Sequence, residues 1–349
     1  VGPLGTRTDY DVISVGPMML SLTDYDVISV GPLGSRTDYD VISVGPLGSR
    51  TDYDVISVGP LGSRTDYDVI SVGPLGSSAD YEPVCGRPHG VRLDSGGQLI
   101  VVDSYFGLFS VDPQTGHKTL LLDSKTGAAG VQFAFLNGLE ISSQTGIIYF
   151  TDSSSRWGRR HVKLEVIETN ALGRLLTFDP ASGRVGVLLD GLYMPNGIAL
   201  SPDESFLLLA ETSIGYWLKG PKAGTKEVIL NNMPGYPDNI RLSDRGTFLV
   251  GLTTTRFRKL VPPFLDLIDS PNIWKKVLWS DETKKYWYNM LLPRYGLVLE
   301  LDGEGEVLGS LHDPTGSLTW AVSDVFAHQG RLYLGSTDLP FLPVLEDWS

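Results

Sequence analysis

Met194–Ser201 reads Met-Pro-Asn-Gly-Ile-Ala-Leu-Ser, and three other segments lie under it without gaps: Arg87–Asp94 (RPHGVRLD), Phe135–Ser142 (FLNGLEIS) and Tyr236–Ser243 (YPDNIRLS). The third position is polar in every copy: His89, Asn137, Asn196 and Asp238. Alternating apolar residues follow, then a turn, then a second strand that ends on small or polar residues. Those second strands are GGQLIVVDS (Gly96–Ser104), TGIIYFTDS (Thr145–Ser153), ESFLLLAET (Glu204–Thr212) and RGTFLVGLT (Arg245–Thr253). A fifth is QGRLYLGST (Gln329–Thr337), and the apolar phase before it puts Ser323 in the polar column. Strand-and-turn units recurring every roughly 40 to 60 residues are the signature of a β-propeller, one blade per unit. The start of each innermost strand then converges on the central axis.

Working outward, the chain is all-β. Asp112–Gly116 (DPQTG) and Asp179–Gly183 (DPASG) read as hairpin turns set by Pro and Gly. Five blades are evident, and a sixth is the expected closure. It would have to come from residues 1–80, a tandem array of a 14-residue unit with identical copies starting at Val30, Val44 and Val58. One reading makes Val30–Val84 a crude four-stranded blade. The other makes the array a disordered or poorly packed tail, since identical repeats cannot supply the differing neighbours that inner and outer strands need. The expected organisation is therefore repeats over 1–80 and a propeller over 81–349. A helical insertion at about 256–294 holds WKKVLW (Trp274–Trp279) and KKYWYN (Lys284–Asn289). It is a candidate lid, a candidate surface for peripheral membrane contact, or a cap packed on one face of the ring.

Composition narrows the function. A net charge of −13 argues against a nucleic-acid partner, which would favour a basic surface. Cys85 is the sole cysteine, so no intrachain disulfide forms. No run of about 18 apolar residues and no signal-peptide pattern is visible. There is no G-x-S-x-G elbow, no Walker-type loop and no Cys/His metal spacing, which sets aside an acyl-enzyme hydrolase, a nucleotide-binding enzyme and a zinc protein.

The polar column carries the chemistry. Asn137, Asn196, Asp238 and the adjacent Asn239 form a hard-oxygen set suited to Ca²⁺ rather than zinc or copper. A metal there would polarise an ester or lactone oxygen. His89, the one imidazole in the column, and Asp238 are the candidate proton handlers. Against this, Asn-Gly and Asp-Asn are ordinary turn formers, and His89 could be structural. Asp103, Asp152 and Glu211, near the ends of second strands, are expected to link blade to blade.

The strings EPVCGRPHGVRLD, FLNGLEIS, IYFTDSSSRW, MPNGIALSPDESFLLLAET, MPGYPDNIR, PRYGLVLELD and HQGRLYLGS resemble the strictosidine synthase-like family, closest to its animal membrane-associated branch, over Glu82–Leu345. The resemblance implies a six-bladed propeller, more distantly similar to paraoxonases and gluconolactonases. It also implies calcium held by asparagines matching Asn137 and Asn196 and by an Asp-Asn pair matching Asp238 and Asn239. Pro88-His89-Gly90 is similar to the Pro-His-Gly motif of the paraoxonases, whose histidine is proposed in proton transfer. Arylesterase activity is attributed to the animal branch. The expected function is calcium-dependent hydrolysis of aryl esters or lactones; a non-catalytic propeller that binds a small molecule or protein is the alternative. Strictosidine-type amine–aldehyde condensation is less favoured, because its glutamate falls at Ser323. The family's first blade, with its metal-binding glutamate, and its membrane anchor would precede Glu82, where the repeats stand. By resemblance the location is the endoplasmic reticulum or plasma membrane.

Overall fold

The computed structural model describes residues 55–56, 70–71, 82–211, 214–256 and 294–348. Four of its sheets have four strands in meander order and one has three, and together they form five propeller blades. Blade I holds β1 (Pro88–Leu93), β2 (Leu99–Asp103), β3 (Gly107–Val111) and β4 (Lys118–Asp123). Blade II holds β5 (Leu136–Ile141), β6 (Ile148–Asp152), β7 (Gly173–Asp179) and β8 (Arg184–Leu192). Blade III holds β9 (Ile198–Leu200), β10 (Phe206–Leu209), β11 (Ile214–Trp217) and β12 (Lys226–Val228). Blade IV holds β13 (Gly235–Leu242), β14 (Phe248–Thr255), β15 (Gly296–Leu301) and β16 (Val307–Asp313). Blade V holds β17 (Val322–His328), β18 (Arg331–Ser336) and β19 (Val344–Leu345).

The second strand of each blade is apolar on both faces because it is sandwiched. All five residues of β2 and of β6 are buried. Alternate side chains then build cores shared between neighbouring blades. Ile100, Val102 and Leu108 of blade I meet Leu136, Leu139 and Phe150 of blade II. Leu175 of blade II meets Ile198 and Leu209 of blade III. Ala199 and Leu208 meet Ile240 and Val250 of blade IV, and Leu249 and Val298 meet Val325 and Leu332 of blade V. Burying each such large side chain contributes about 1.5–3 kcal/mol, so the blades cohere mainly through these cores.

The turn chemistry expected at Asp112 and Asp179 is present. Asp112 Oδ1 accepts from Gln114 N at 2.8 Å and Asp179 Oδ1 from Ala181 N at 3.0 Å, while Gly116 and Gly183 take φ of 71° and 68°. Such positive φ favours glycine. Within the repeats, Val55–Ile56 and Ile70–Ser71 pair antiparallel, with Ile56 opposite Ile70. They come from places one residue apart in successive units. The rest of the array and residues 257–293, nearly all of the insertion, lie outside the described residues.

Candidate functional site at the propeller axis

Four of the five first strands break register where the polar column falls. His89 lies in the break between Pro88 and Gly90. Asn137 and Gly138 lie between Leu136 and Leu139, and Asp238 and Asn239 between Pro237 and Ile240. Ser323 lies between Val322 and Asp324. A β-bulge leaves its extra residue out of the ladder and re-aims the side chain, and bulges concentrate beside functional sites. Asn196 stands just before β9, where Asn196 N donates to Ala210 O at 3.0 Å and Ala210 N to Gly197 O at 2.9 Å. The Asn-Gly pairs are thus parts of irregular inner strands, not free-standing turns.

The glycines after the column have a steric cause. A Cβ at Gly90 would sit 2.8 Å from Asn137 O, one at Gly138 2.5 Å from Asn196 O, and one at Gly197 2.5 Å from Asn239 Cα. Each glycine makes room for the backbone of the next blade at or beside its column residue. After Asp238 comes Asn239 instead, and its Nδ2 donates to Ser323 O at 3.0 Å. There the room comes from Gly251 on β14, whose Cβ would lie 2.9 Å from Val322 O.

The structure brings the predicted residues together in pairs. The Asn196 amide contacts the Asp238 carboxylate, and Asn239 reaches Ser323. Asn137 Nδ2 donates to Ser153 Oγ at 3.0 Å, and Ser153 Oγ donates to Pro195 O at 2.7 Å. Thr151 Oγ1 accepts from Gly138 N at 2.8 Å and donates to Asn196 O at 2.9 Å. Asn196 Oδ1 is buried, with no hydrogen-bond partner among the described residues. His89 is half-buried, its ring edge-on to Phe135 at 5.7 Å and 72°. Among the described residues no three His, Cys, Asp or Glu side chains group to hold a metal, so a cation here would depend on amide oxygens.

Sequence reasoning missed two features. Ser153 and Thr151 hold the column in place, and the small or polar ends of the second strands were their signal. One turn of strand further from the column lies a buried charge cluster. Arg92 Nε donates to Glu140 Oε2 at 3.1 Å, linking blades I and II. Arg241 Nε donates to Asp324 Oδ1 at 2.8 Å and Nη2 to Oδ2 at 2.5 Å, linking blades IV and V. Burial opposes the charge on Asp324, but Arg241, then Arg92, outweigh it and hold the carboxyl below its usual range.

Of the carboxylates closing the second strands, Asp103 and Asp152 secure loops of their own blades, which corrects their expected blade-to-blade role, while Glu211 reaches the preceding blade's connector. Asp103 accepts from Tyr105 N and Phe106 N of its own blade, at 2.8 and 2.9 Å. Glu211 accepts from Tyr193 N at 2.6 Å, on the connector from blade II. Asp152 accepts from Phe135 N at 2.9 Å and from Arg174 Nη2 at 2.6 Å, within blade II and its lead-in loop. Burial raises all three, and it pushes Asp152 up to about 6 against the pull of Arg174. A folded-state value above the unfolded one, near 3.9, means that the folded protein binds the proton more tightly, so this contribution to stability falls as pH rises from about 4 through about 6. Melting temperature measured across that range is expected to fall more steeply for the parent than for Asp152→Asn; parallel curves would contradict this.

These features define a β-propeller with a polar axial mouth. The chain belongs to the strictosidine synthase-like family. A strictosidine synthase family model matches residues 137–221. The rat adipocyte plasma membrane-associated protein is 44% identical over 264 residues, covering 74% of this chain and 69% of the relative. The human protein of that name is 43% identical over 264 residues, covering 74% and 62%. Protein strictosidine synthase-like 10 of Arabidopsis thaliana is 38% identical over 272 residues, covering 75% and 70%. The chain thus spans about two thirds of the length of the curated relatives it matches. Among solved structures, a gluconolactonase from Xanthomonas campestris aligns with a TM-score of 0.48 and 18% identity, covering 74% of this chain and 72% of that one. The calcium-binding regucalcin of Agrobacterium tumefaciens aligns with a TM-score of 0.46 and 15% identity, covering 71% and 67%. No helix among the described residues is long and apolar enough to cross a membrane.

Proposed function

We propose that the chain is a calcium-dependent hydrolase of aryl esters or lactones, with the metal at the axis held by Asn137, Asn196, Asp238 and Asn239. The observation that carries this reading is Asn196 Oδ1, a buried acceptor with no hydrogen-bond partner among the described residues, on the side chain that also contacts the Asp238 carboxylate. A buried oxygen left unmatched costs about 1–3 kcal/mol, and a hard cation would satisfy it. Asn137 and Asn239 commit their amide nitrogens to Ser153 and Ser323, which leaves their carbonyl oxygens as acceptors. The donor set therefore fits Ca²⁺. When bound, the cation supplies Lewis-acid polarisation of the scissile carbonyl and acidifies water. Asp238 and His89 are the column groups able to take a proton from an attacking water.

The finer architecture belongs to the same proposal: a ring of six blades, with the repeat array over residues 1–80 standing where the first blade would be. So do the endoplasmic reticulum or plasma membrane location, the second of these after the name of the animal relatives, and peripheral membrane contact through residues 256–294. A non-catalytic ligand-binding propeller is the second reading, favoured by the direct Asn196–Asp238 contact, which already gives the carboxylate a partner.

Cleavage of an aryl acetate, followed with added calcium and then with a chelator, separates the two. The enzyme reading expects activity that chelation removes, that calcium restores and that Asn196→Ala lacks. Equal rates with and without chelator would favour the binding module.

A further inference from the structure

Four apolar cores join the five blades in sequence: I to II, II to III, III to IV and IV to V. Blades I and V are the ends of that series. The remaining cluster, Val91, Leu99, Val101 and Val111 with Phe109, belongs to blade I alone. Among the described residues, therefore, no apolar core ties blade V to blade I. The polar column draws on both, with His89 on β1 and Ser323 on β17.

What spans this interval is charge. Arg92 reaches Glu140 across blades I and II, and Arg241 holds Asp324 across blades IV and V. The two pairs act on each other. Burial first, then the like charge of Arg241, lower the pKa of Arg92, while Glu140 and Asp324 oppose them. Burial also opposes the charge on Arg241, and Asp324 followed by Glu140 of blade II outweigh it, raising its pKa. Two guanidiniums and two carboxylates from four blades thus form one neutral group. All four side chains are largely withdrawn from solvent, so salt screens their attraction little. Blade III adds no charge at this level: the matching residue is Ala199, buried in the core shared with blade IV.

We propose that Arg92 is a positioning residue: bonded to Glu140 and facing Asp324, it clasps blade I to blade V across the axis and keeps His89 in fixed relation to Asp238 and Ser323. The part concerning His89 rests on the axial hydrolase reading above; the clasp itself does not. Arginine suits the place because its stem is longer than any aliphatic side chain and its rigid fork presents five donors, enough for more than one carboxylate. Arg92 Nη1 also donates to Val91 O at 2.9 Å, which sets the angle of the fork. A pair that merely joined blades I and II would need no carboxylate from blade V.

Hydrogen exchange of the full chain, read by mass spectrometry, tests the clasp without metal or substrate. Arg92→Met is expected to speed amide exchange by about tenfold in β1 and β17 alike, while β9 and β10 of blade III keep the parent rates. Arg92→Lys, which retains the charge, is expected to restore most of the protection in β17. Faster exchange confined to blades I and II would overturn the clasp, and so would an equal loss of protection in every blade. Should Arg92→Met fail to fold, Asp324→Asn gives the same test from the other side, with β1 as the strand that must loosen. Aryl acetate cleavage reads the placing of His89. In Arg92→Met kcat should fall by about tenfold or more with KM little changed, because a misplaced proton acceptor slows chemistry more than binding, and Arg92→Lys should recover most of it. Unchanged kcat in a variant with a loosened β17 would overturn the role of Arg92 in placing His89. An inactive parent would sink the hydrolase reading instead, and the exchange rates would still decide the clasp.

Discussion

Arg241→Met is expected to lower the unfolding free energy by about 3–5 kcal/mol, the range found when one partner of a buried ion pair is removed. The Arg241 and Asp324 side chains are 11% and 6% exposed and share a bidentate contact between blades IV and V. Methionine fills similar space but leaves the Asp324 carboxylate in the interior with only the more distant Arg92 as counter-charge. The loss should also depend on pH. Asp324 is held below its ordinary range in the folded protein, so the pair stabilises fully above the unfolded value near 3.9 and less as pH falls through the folded one. Urea midpoints for parent and variant should therefore stand far apart at neutral pH and draw together in acid. Coincident midpoints at neutral pH would show that Arg92 alone suffices. The double change Arg241→Met with Asp324→Leu should recover part of the loss, because the stranded charge is then gone.

Asp238→Ala is expected to weaken calcium binding by about a hundredfold or more, since affinity follows the charge of the ligand set. Asp238 is the sole carboxylate among the proposed ligands Asn137, Asn196, Asp238 and Asn239. Thermal unfolding reads this without a substrate. A ligand bound only by the folded state raises the melting temperature as its concentration rises, and the parent should show that rise with calcium while the variant should not. Aryl acetate cleavage should fall in parallel. Equal calcium shifts in both proteins would place the metal elsewhere.

The five blades among the described residues and the polar column were legible because both repeat in phase. His89, Asn137, Asn196 and Asp238 recur with the same apolar neighbours, so one alignment of the chain with itself suffices. The bulges were not legible, because register depends on the partner strand, which no single segment encodes. Arg92, Glu140 and Arg241 stand in plain sight three places after the column, yet their partners lie in other blades. Asp152 displays a strand-end carboxylate in sequence, but its link to Arg174 spans the whole β6–β7 loop. The departure at Asn239 was visible as a break in the Asn-Gly pattern. Its explanation, room made by Gly251 on the neighbouring strand, exists only in three dimensions.

The alternation of a variable polar residue with a residue chosen for lack of bulk divides labour along the axis. Gly90, Gly138 and Gly197 set how near one blade comes to the next, and Gly251 does so for the last pair. His89, Asn137, Asn196, Asp238 and Ser323 decide what the opening displays. Spacing and display are written at separate positions, so a substitution in the second set can retool the opening while the ring keeps its dimensions. Such a scaffold is evolvable at low risk: relatives could exchange one ligand or proton carrier at a time, with every intermediate still folded.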